Sequence, residues 1–208
     1  ETGSRVAVLI AEGPALLVAN QGAPMLASTV IDSLGHIGAS TKSEGEAIGH
    51  KGIGFKSVLE MTSTPEIYSG LGEDSPELAV RFDPRAALDA IHELSPEWEV
   101  LLSEVGAPEP NDEMSAVPVL RYPQWVDDLP PAVEELGREG YDTVVRLPYT
   151  GLPEGKDDWL GAVRAGLADI SDQIVLLLGC FSEVRIEDQI RGVSTLLVPD
   201  WDTLGEGS

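Results

Sequence analysis

Apolar residues near the start of the chain fall in short runs separated by turn residues. Val6–Ile10 and Ala15–Ala19 are two such runs, and Glu12, Gly13 and Pro14 lie between them. Apolar runs of this length that are joined through glycine and proline are typical of a β-hairpin. The pattern therefore predicts two adjacent strands at the beginning of the chain.

Further along, segments with helical spacing and segments with strand patterning follow one another. The predicted strands are Glu66–Ser69, Glu77–Phe82, Tyr141–Leu147 and Glu183–Ile190, and the predicted helices are Ala86–Leu94 and Trp159–Ile170. A further helix is expected to begin in Ala27–Leu34 with Ser28 as its N-cap. Phe55–Met61 also has helical spacing, which places three apolar residues on one face: Phe55, Val58 and Leu59.

One part of the chain has neither pattern. Residues 96–131 contain seven of the fifteen prolines and are rich in acidic residues. Proline interrupts helices and interior strands, so this stretch is predicted to be an irregular, solvated insertion or loop. The remaining length is sufficient for one domain with a hydrophobic core, and residues 1–208 are expected to form a single domain.

The charge of the chain excludes several classes of partner. It has 13 Lys plus Arg against 36 Asp plus Glu, which gives a net charge of −23. Binding to DNA, RNA or anionic membranes depends on cationic side chains, so no nucleic-acid or membrane partner is expected. No apolar stretch approaches the roughly 20 residues of a membrane span. The single cysteine excludes an internal disulfide, which agrees with a cytoplasmic protein.

The few lysines are concentrated in one place. Three of the four lysines, Lys42, Lys51 and Lys56, lie in a segment that is rich in glycine. Glycines allow backbone N–H groups to approach phosphate oxygens closely, so the segment is a candidate anion cradle. A flexible surface loop has the same composition and is the alternative.

The glycine segment is close to a known phosphate-binding motif without matching it. Gly49–Ser57 nearly reproduces the P-loop pattern G-x-x-x-x-G-K-[ST], but Phe55 stands between Gly54 and Lys56. One inserted residue turns the lysine by about 100° around the following helix, and the cradle geometry is lost. The P-loop interpretation is therefore rejected.

The segment instead resembles the glycine-rich lid of the GHKL ATPases, G-x-x-G-x-G-F, which opens a helix whose N-terminus faces the nucleotide phosphates. The matching residues are Gly49, Gly52, Gly54 and Phe55. A second family element, D-x-G-x-G, is represented within Leu16–Met25, and a third, a Thr on a late strand, within Asp142–Leu147. The order and residue types of these segments are similar to those of the sacsin-like branch, which is related to the ninety-kilodalton heat-shock chaperones.

This resemblance implies an α+β fold, a two-layer α/β sandwich in which helices cover one face of a mixed, mostly antiparallel sheet. It implies that the chain binds ATP with Mg²⁺. Asn20 would contact adenine, Gly22 would let the backbone approach the base, and Thr143 would support the adenine site, with Met25 beside them. The residues implied for the phosphates and the lid are Ser40, Thr41, Lys42, Gly49, His50, Lys51, Gly52, Ile53, Gly54 and Phe55, with Lys51 or Lys56 as counter-charge.

Two departures from the family pattern bear on activity. Asn20 stands where the family has Asp, so it keeps an oxygen acceptor but loses the charge. The E-x-x-x-N helix, whose Asn binds Mg²⁺ and whose Glu activates water, is not found in residues 1–15. The chain is therefore expected to be a fragment without that helix, and ATP hydrolysis is left open.

The sequence is compatible with three functions. The first is an ATP-binding domain that couples nucleotide to conformational change in a larger protein or toward a protein client. The second is a catalytically inactive interaction scaffold of the same fold, with residues 96–131 as its docking surface. The third is a histidine-kinase-type catalytic domain. It is favoured less, because the lid pattern and Tyr68-Ser69-Gly70 fit the chaperone-like branch better.

Overall fold

The computed structural model describes residues 4–30, 54–72, 76–95, 97, 117–149, 158–170 and 181–198. The strands are β1 (Ser4–Ala11), β2 (Ala15–Asn20), β3 (Glu66–Ser69), β4 (Leu78–Phe82), β5 (Pro123–Trp125), β6 (Thr143–Pro148), β7 (Phe181–Asp188) and β8 (Val193–Leu197). The α-helices are α1 (Ala27–Thr29), α2 (Pro84–Leu94), α3 (Pro131–Arg138) and α4 (Trp159–Ala168), and 3₁₀ helices span Gly54–Glu60 and Val119–Arg121.

The eight strands of the described chain form one sheet in the order β5-β4-β3-β6-β2-β1-β7-β8. Only the β1–β7 pair within it is parallel, and the other neighbouring pairs are antiparallel. The prediction of an α+β protein with a mixed, mostly antiparallel sheet is confirmed. The predicted strands and the two long helices α2 and α4 are present with shifts of a few residues at their ends.

The hairpin predicted at the start of the chain pairs β1 with β2. Val8 lies opposite Val18, and Leu9 lies opposite Leu17. Gly13 in the connecting turn has a φ of 73°, a left-handed conformation that glycine adopts without steric cost. The turn chemistry and the alternation of the two runs therefore define the hairpin locally.

Alternation along the strands gives the sheet two faces with separate covers. The face that carries Asn20, called here the site face, has Val8, Ile10 and Leu16 packed against Trp159 and Val163 of α4. The opposite face is covered by α3. Its apolar cluster includes Leu9, Leu17, Tyr68, Val133 and Leu136. Helices were expected on one face only, and α3 adds a cover that the proline-rich sequence before it had obscured.

Two local predictions beside the glycine segment are wrong. The N-cap of α1 is Leu26, which makes no side-chain cap hydrogen bond, and Ser28 lies within the helix. Leu59 is 37% exposed, whereas Phe55 and Val58 pack against buried apolar residues. The element is a 3₁₀ helix with three residues per turn, so positions 55 and 58 share a face and position 59 turns away from it.

The expectation of an irregular segment over residues 96–131 is wrong for its described end. Val117, Val119 and Leu120 are buried, and β5 pairs with β4 as an edge strand. Val119 and Leu120 cover apolar residues of β3 and β4, including Phe82, which would otherwise face water. Proline is compatible with the first position of an edge strand, which is where Pro123 lies. Residues 98–116 lie outside the described part.

Candidate functional site

Three polar side chains lie side by side on the site face, where three neighbouring strands end or begin. Asn20 at the end of β2 is in register with Thr143 at the start of β6. Thr143 is in register with Ser69 at the end of β3. Because directly opposed residues of antiparallel strands are neighbours on one face, the three side chains form a continuous row, called here the polar row.

Ser69 is the most deeply buried member of the polar row. Its side chain has 0% exposure, and Thr143 has 6%. The Ser69 Oγ lies 2.6 Å from the Thr143 Oγ1, and it accepts a hydrogen bond of 2.7 Å from the backbone N–H of Met25. Ser69 thereby ties the segment that follows β2 to the floor of the site. The sequence did not single out Ser69, because only the strand register brings it beside Thr143.

Asn20 is half-buried at the end of β2, and its amide is the exposed polar group of the row. Its Nδ2 donates to the backbone oxygen of Gln21 at 3.4 Å. Among the described residues no donor reaches its Oδ1. In this orientation, the amide oxygen is available to an incoming donor beside the Thr143 hydroxyl.

The turn that carries Gly22 is held by the residues just before β6. The Asp142 Oδ2 accepts a 2.8 Å hydrogen bond from the Gly22 N–H, and the Asp142 N–H donates to the Asn20 backbone oxygen at 3.1 Å. The Gln21 side chain donates to the Gly140 oxygen at 2.9 Å. An added Cβ at Gly22 would meet only the Asn20 amide nitrogen, at 3.7 Å. Space is therefore open above this backbone among the described residues.

An apolar cluster on the site face holds the 3₁₀ helix against the sheet. Phe55 packs against Phe82 with ring centroids 6.3 Å apart, and Met25 belongs to the same cluster. Phe55 is thus a packing residue, and it fixes the 3₁₀ helix that begins at Gly54 against the sheet. The 3₁₀ helix that follows the glycine segment is therefore packed on the site face at the level of Phe82, four residues along β4 from Leu78, the residue paired with Ser69.

The structure brings four of the predicted site residues together, and these are Asn20, Gly22, Met25 and Thr143. Gly54 and Phe55 begin the 3₁₀ helix that packs on the same face of the sheet. The other predicted site residues lie outside the described part of the chain, and they are Ser40, Thr41, Lys42, Gly49, His50, Lys51, Gly52 and Ile53. The polar row is the part of the predicted site whose geometry is described.

Neither a metal centre nor a membrane helix is found in the described ranges. No three His, Cys, Asp or Glu side chains there converge as they would around a metal ion. None of the described helices has the length and apolar character needed to cross a membrane.

The opposite face contains a separate cluster of charged residues. Glu66 is 1% exposed, and its carboxylate accepts hydrogen bonds from Arg81 Nε at 2.8 Å, Arg146 Nη1 at 2.7 Å and the Tyr68 hydroxyl at 2.8 Å. Burial, and then the adjacent carboxylate, raises the pKa of Tyr68 well above its usual range, so the hydroxyl stays protonated and donates. The cluster pairs the buried Glu66 charge with two arginines and fastens β3, β4 and β6 together.

The comparison with known proteins finds its matches among solved structures. No family model and no curated protein matches the sequence. Among solved structures, the chain is similar to the topoisomerase IV ATP-binding domain of Francisella tularensis, solved in complex with a small-molecule inhibitor. The TM-score is 0.40 and the sequence identity 10%, over 93% of this chain and 43% of that one. The chain thus spans less than half the length of this structure.

Proposed function

We propose that this chain is an ATP-binding domain of the GHKL type, and that the polar row is its adenine site. The observation that carries the proposal is the pairing of a half-buried Asn20 with Thr143 at the strand ends, on the same face of the sheet against which the 3₁₀ helix beginning at Gly54 packs. A free amide oxygen beside a hydroxyl matches the edge of adenine, whose exocyclic amine lies next to a ring nitrogen that accepts hydrogen bonds.

The proposal assigns the phosphates to the glycine segment. The residues proposed to face the phosphates or to form the lid are Ser40, Thr41, Lys42, Gly49, His50, Lys51, Gly52, Ile53 and Gly54. Glycine-rich backbone at a helix N-terminus favours anion binding, and Lys51 supplies positive charge in a chain that is otherwise strongly acidic. Phe55, which follows this segment in the chain, packs in the apolar cluster of the site face.

The finer proposal places the chain in the sacsin-like, chaperone-like branch, in the cytoplasm. Nucleotide binding would close the lid and change the conformation of a larger protein or of its complex with a client. Mg²⁺ would arrive with the nucleotide and bridge its phosphates. Hydrolysis is not part of the proposal, because the E-x-x-x-N pattern does not occur in residues 1–15.

Calorimetric titration with Mg-ATP tests this function. The wild-type chain is expected to bind ATP, and Asn20→Ala is expected to lower the affinity about tenfold, since one hydrogen bond in a desolvated site contributes about 1 to 1.5 kcal/mol. Asn20→Asp is expected to bind ATP at least as tightly as the wild type, because a charged acceptor forms the stronger bond.

Ser194→Ala on β8 is the matched control, because Ser194 is exposed and lies at the far edge of the sheet. It should bind ATP as the wild type does. A wild-type chain that binds no adenine nucleotide at millimolar concentration would overturn the proposal and favour the interaction scaffold.

A further inference from the structure

We infer that Ser69 is a specificity-determining residue of the proposed adenine site, acting through the Thr143 hydroxyl. The inference rests on the proposed function and goes beyond it. It concerns a buried side chain that touches Thr143 and the Met25 backbone among the described residues, and whose role is to fix the direction of one hydrogen bond.

The direction follows from counting protons between the two hydroxyls. The Ser69 Oγ already accepts the Met25 N–H, and it lies 2.6 Å from the Thr143 Oγ1. If Thr143 donated to Ser69, the Ser69 proton would have no acceptor among the described residues, at a position with 0% exposure. A buried unsatisfied donor is costly, and Thr143 is the more exposed of the two hydroxyls at 6%, so the favoured arrangement has Ser69 donating and Thr143 accepting. The Thr143 proton is then left for a group above the polar row.

The polar row therefore offers the Asn20 Oδ1 as an acceptor and, next to it, the Thr143 hydroxyl as a donor. Adenine has the complementary order, with a donor amine beside the acceptor N1. Guanine has the reverse order, with the acceptor O6 beside a donor N1–H. A site held in this direction binds adenine and leaves two mismatched groups against guanine.

The direction of the Ser69–Thr143 hydrogen bond matters more for base selection beside Asn20 than it would beside an aspartate. A carboxylate only accepts, whereas an amide that rotates by half a turn presents its Nδ2 and donates to guanine O6. Asn20 alone therefore discriminates weakly between the two bases. Thr143 would still repel the guanine N1–H as long as Ser69 keeps its hydroxyl acting as a donor, so base selection falls on the Ser69–Thr143 pair.

Titrations of the full chain with ATP, GTP and 1-deaza-ATP test this inference. The last analogue keeps the amine and replaces N1 by a C–H group. The wild type is expected to bind 1-deaza-ATP about tenfold more weakly than ATP, the effect of one hydrogen bond. This arm uses no variant, so its outcome does not depend on whether a substituted chain folds. Equal affinities for ATP and 1-deaza-ATP would overturn the inference.

Variants then separate direction from general damage. Ser69→Ala frees the Thr143 hydroxyl to accept as well as donate, so the GTP-to-ATP ratio of dissociation constants should fall about tenfold. In a Thr143→Val background, Ser69→Ala should leave that ratio unchanged, because no hydroxyl remains to direct. Ser69→Thr, which retains the donor, should restore the wild-type ratio, and Ser194→Ala should not alter it.

The outcomes distinguish the two proposals. A wild-type chain that binds neither ATP nor GTP overturns the proposed function together with the inference. A wild-type chain that binds ATP, with a ratio that Ser69→Ala leaves intact, overturns the inference alone. Thermal unfolding of each variant checks that it is folded. A displaced Met25 segment would weaken the binding of both nucleotides equally and would leave the ratio of their dissociation constants unchanged.

Discussion

Asp188 at the end of β7 shows how single residues tie distant segments together by charge. Its carboxylate accepts hydrogen bonds from Arg164 Nε at 2.7 Å and from the Arg191 backbone N–H at 3.1 Å. The hydrogen bond from Arg164 is the main reason that the pKa of Asp188 lies below its ordinary value. Asp188 thereby connects α4 to the turn between β7 and β8.

This pKa shift predicts an acid-sensitive contribution to stability. A carboxylate with a lowered folded-state pKa stabilises the protein above its unfolded pKa of about 4, and this contribution is lost as the pH falls through the folded value. Urea denaturation should show Asp188→Asn less stable than the wild type near neutral pH, with the difference shrinking below about pH 4. Asp89→Asn on the exposed side of α2 is the control. A difference that stays constant across this pH range would contradict the assignment.

Among the elements, helix α4 contains a matched pair of glycines whose surroundings differ. The Asp158 side chain caps the helix by accepting the Gly161 N–H at 2.7 Å, and a Cβ at position 161 would overlap the Asp158 carboxylate. A Cβ at Gly166 would meet nothing within 4 Å among the described residues. The same substitution therefore has two different consequences within one helix.

Gly166→Ala is expected to raise the free energy of unfolding by up to about 1 kcal/mol, the difference in helix propensity between the two residues. Gly161→Ala gains the same propensity but displaces the capping carboxylate, which costs about 1 kcal/mol, so its net effect should lie near zero. Chemical denaturation of both variants checks this. An equal gain in stability for both would show that Asp158 does not cap α4.

The sequence-based predictions succeeded for elements that are defined by residues close together in the chain. The β1–β2 hairpin was predictable because its turn residues and alternation lie within one short stretch. Strand β5 was not, because Pro123–Trp125 becomes a strand only by pairing with β4. Helix α3 was missed because Pro130 and Pro131 were interpreted as breakers, although proline is favoured in the first turn of a helix.

The same distinction applies to the candidate site. Asn20, Gly22 and Thr143 were identified because they occupy positions in short motifs that resemble a known family. Ser69 was not, because its partner Thr143 lies far away in the sequence and only the register of β3 with β6 brings the two hydroxyls together. A residue that acts through another side chain leaves no local signal.

For the molecule as a whole, the sheet separates two kinds of chemistry. The opposite face holds Glu66 paired with Arg81 and Arg146, whereas the site face ends in a polar row whose Asn20 Oδ1 receives no donor from the described residues. The net charge of −23 argues against large polyanions, while three of the four lysines cluster together, with Lys42 and Lys51 before the 3₁₀ helix and Lys56 within it. This distribution favours one small anion at one place.

A crystal structure of the chain with Mg²⁺ and a non-hydrolysable ATP analogue tests the central claim most directly. The account predicts that the adenine amine lies within hydrogen-bonding distance of the Asn20 Oδ1, with N1 facing the Thr143 hydroxyl and the phosphates directed toward Gly49–Gly54. An analogue bound elsewhere on the chain, or a polar row that stays empty at saturating analogue, would contradict it.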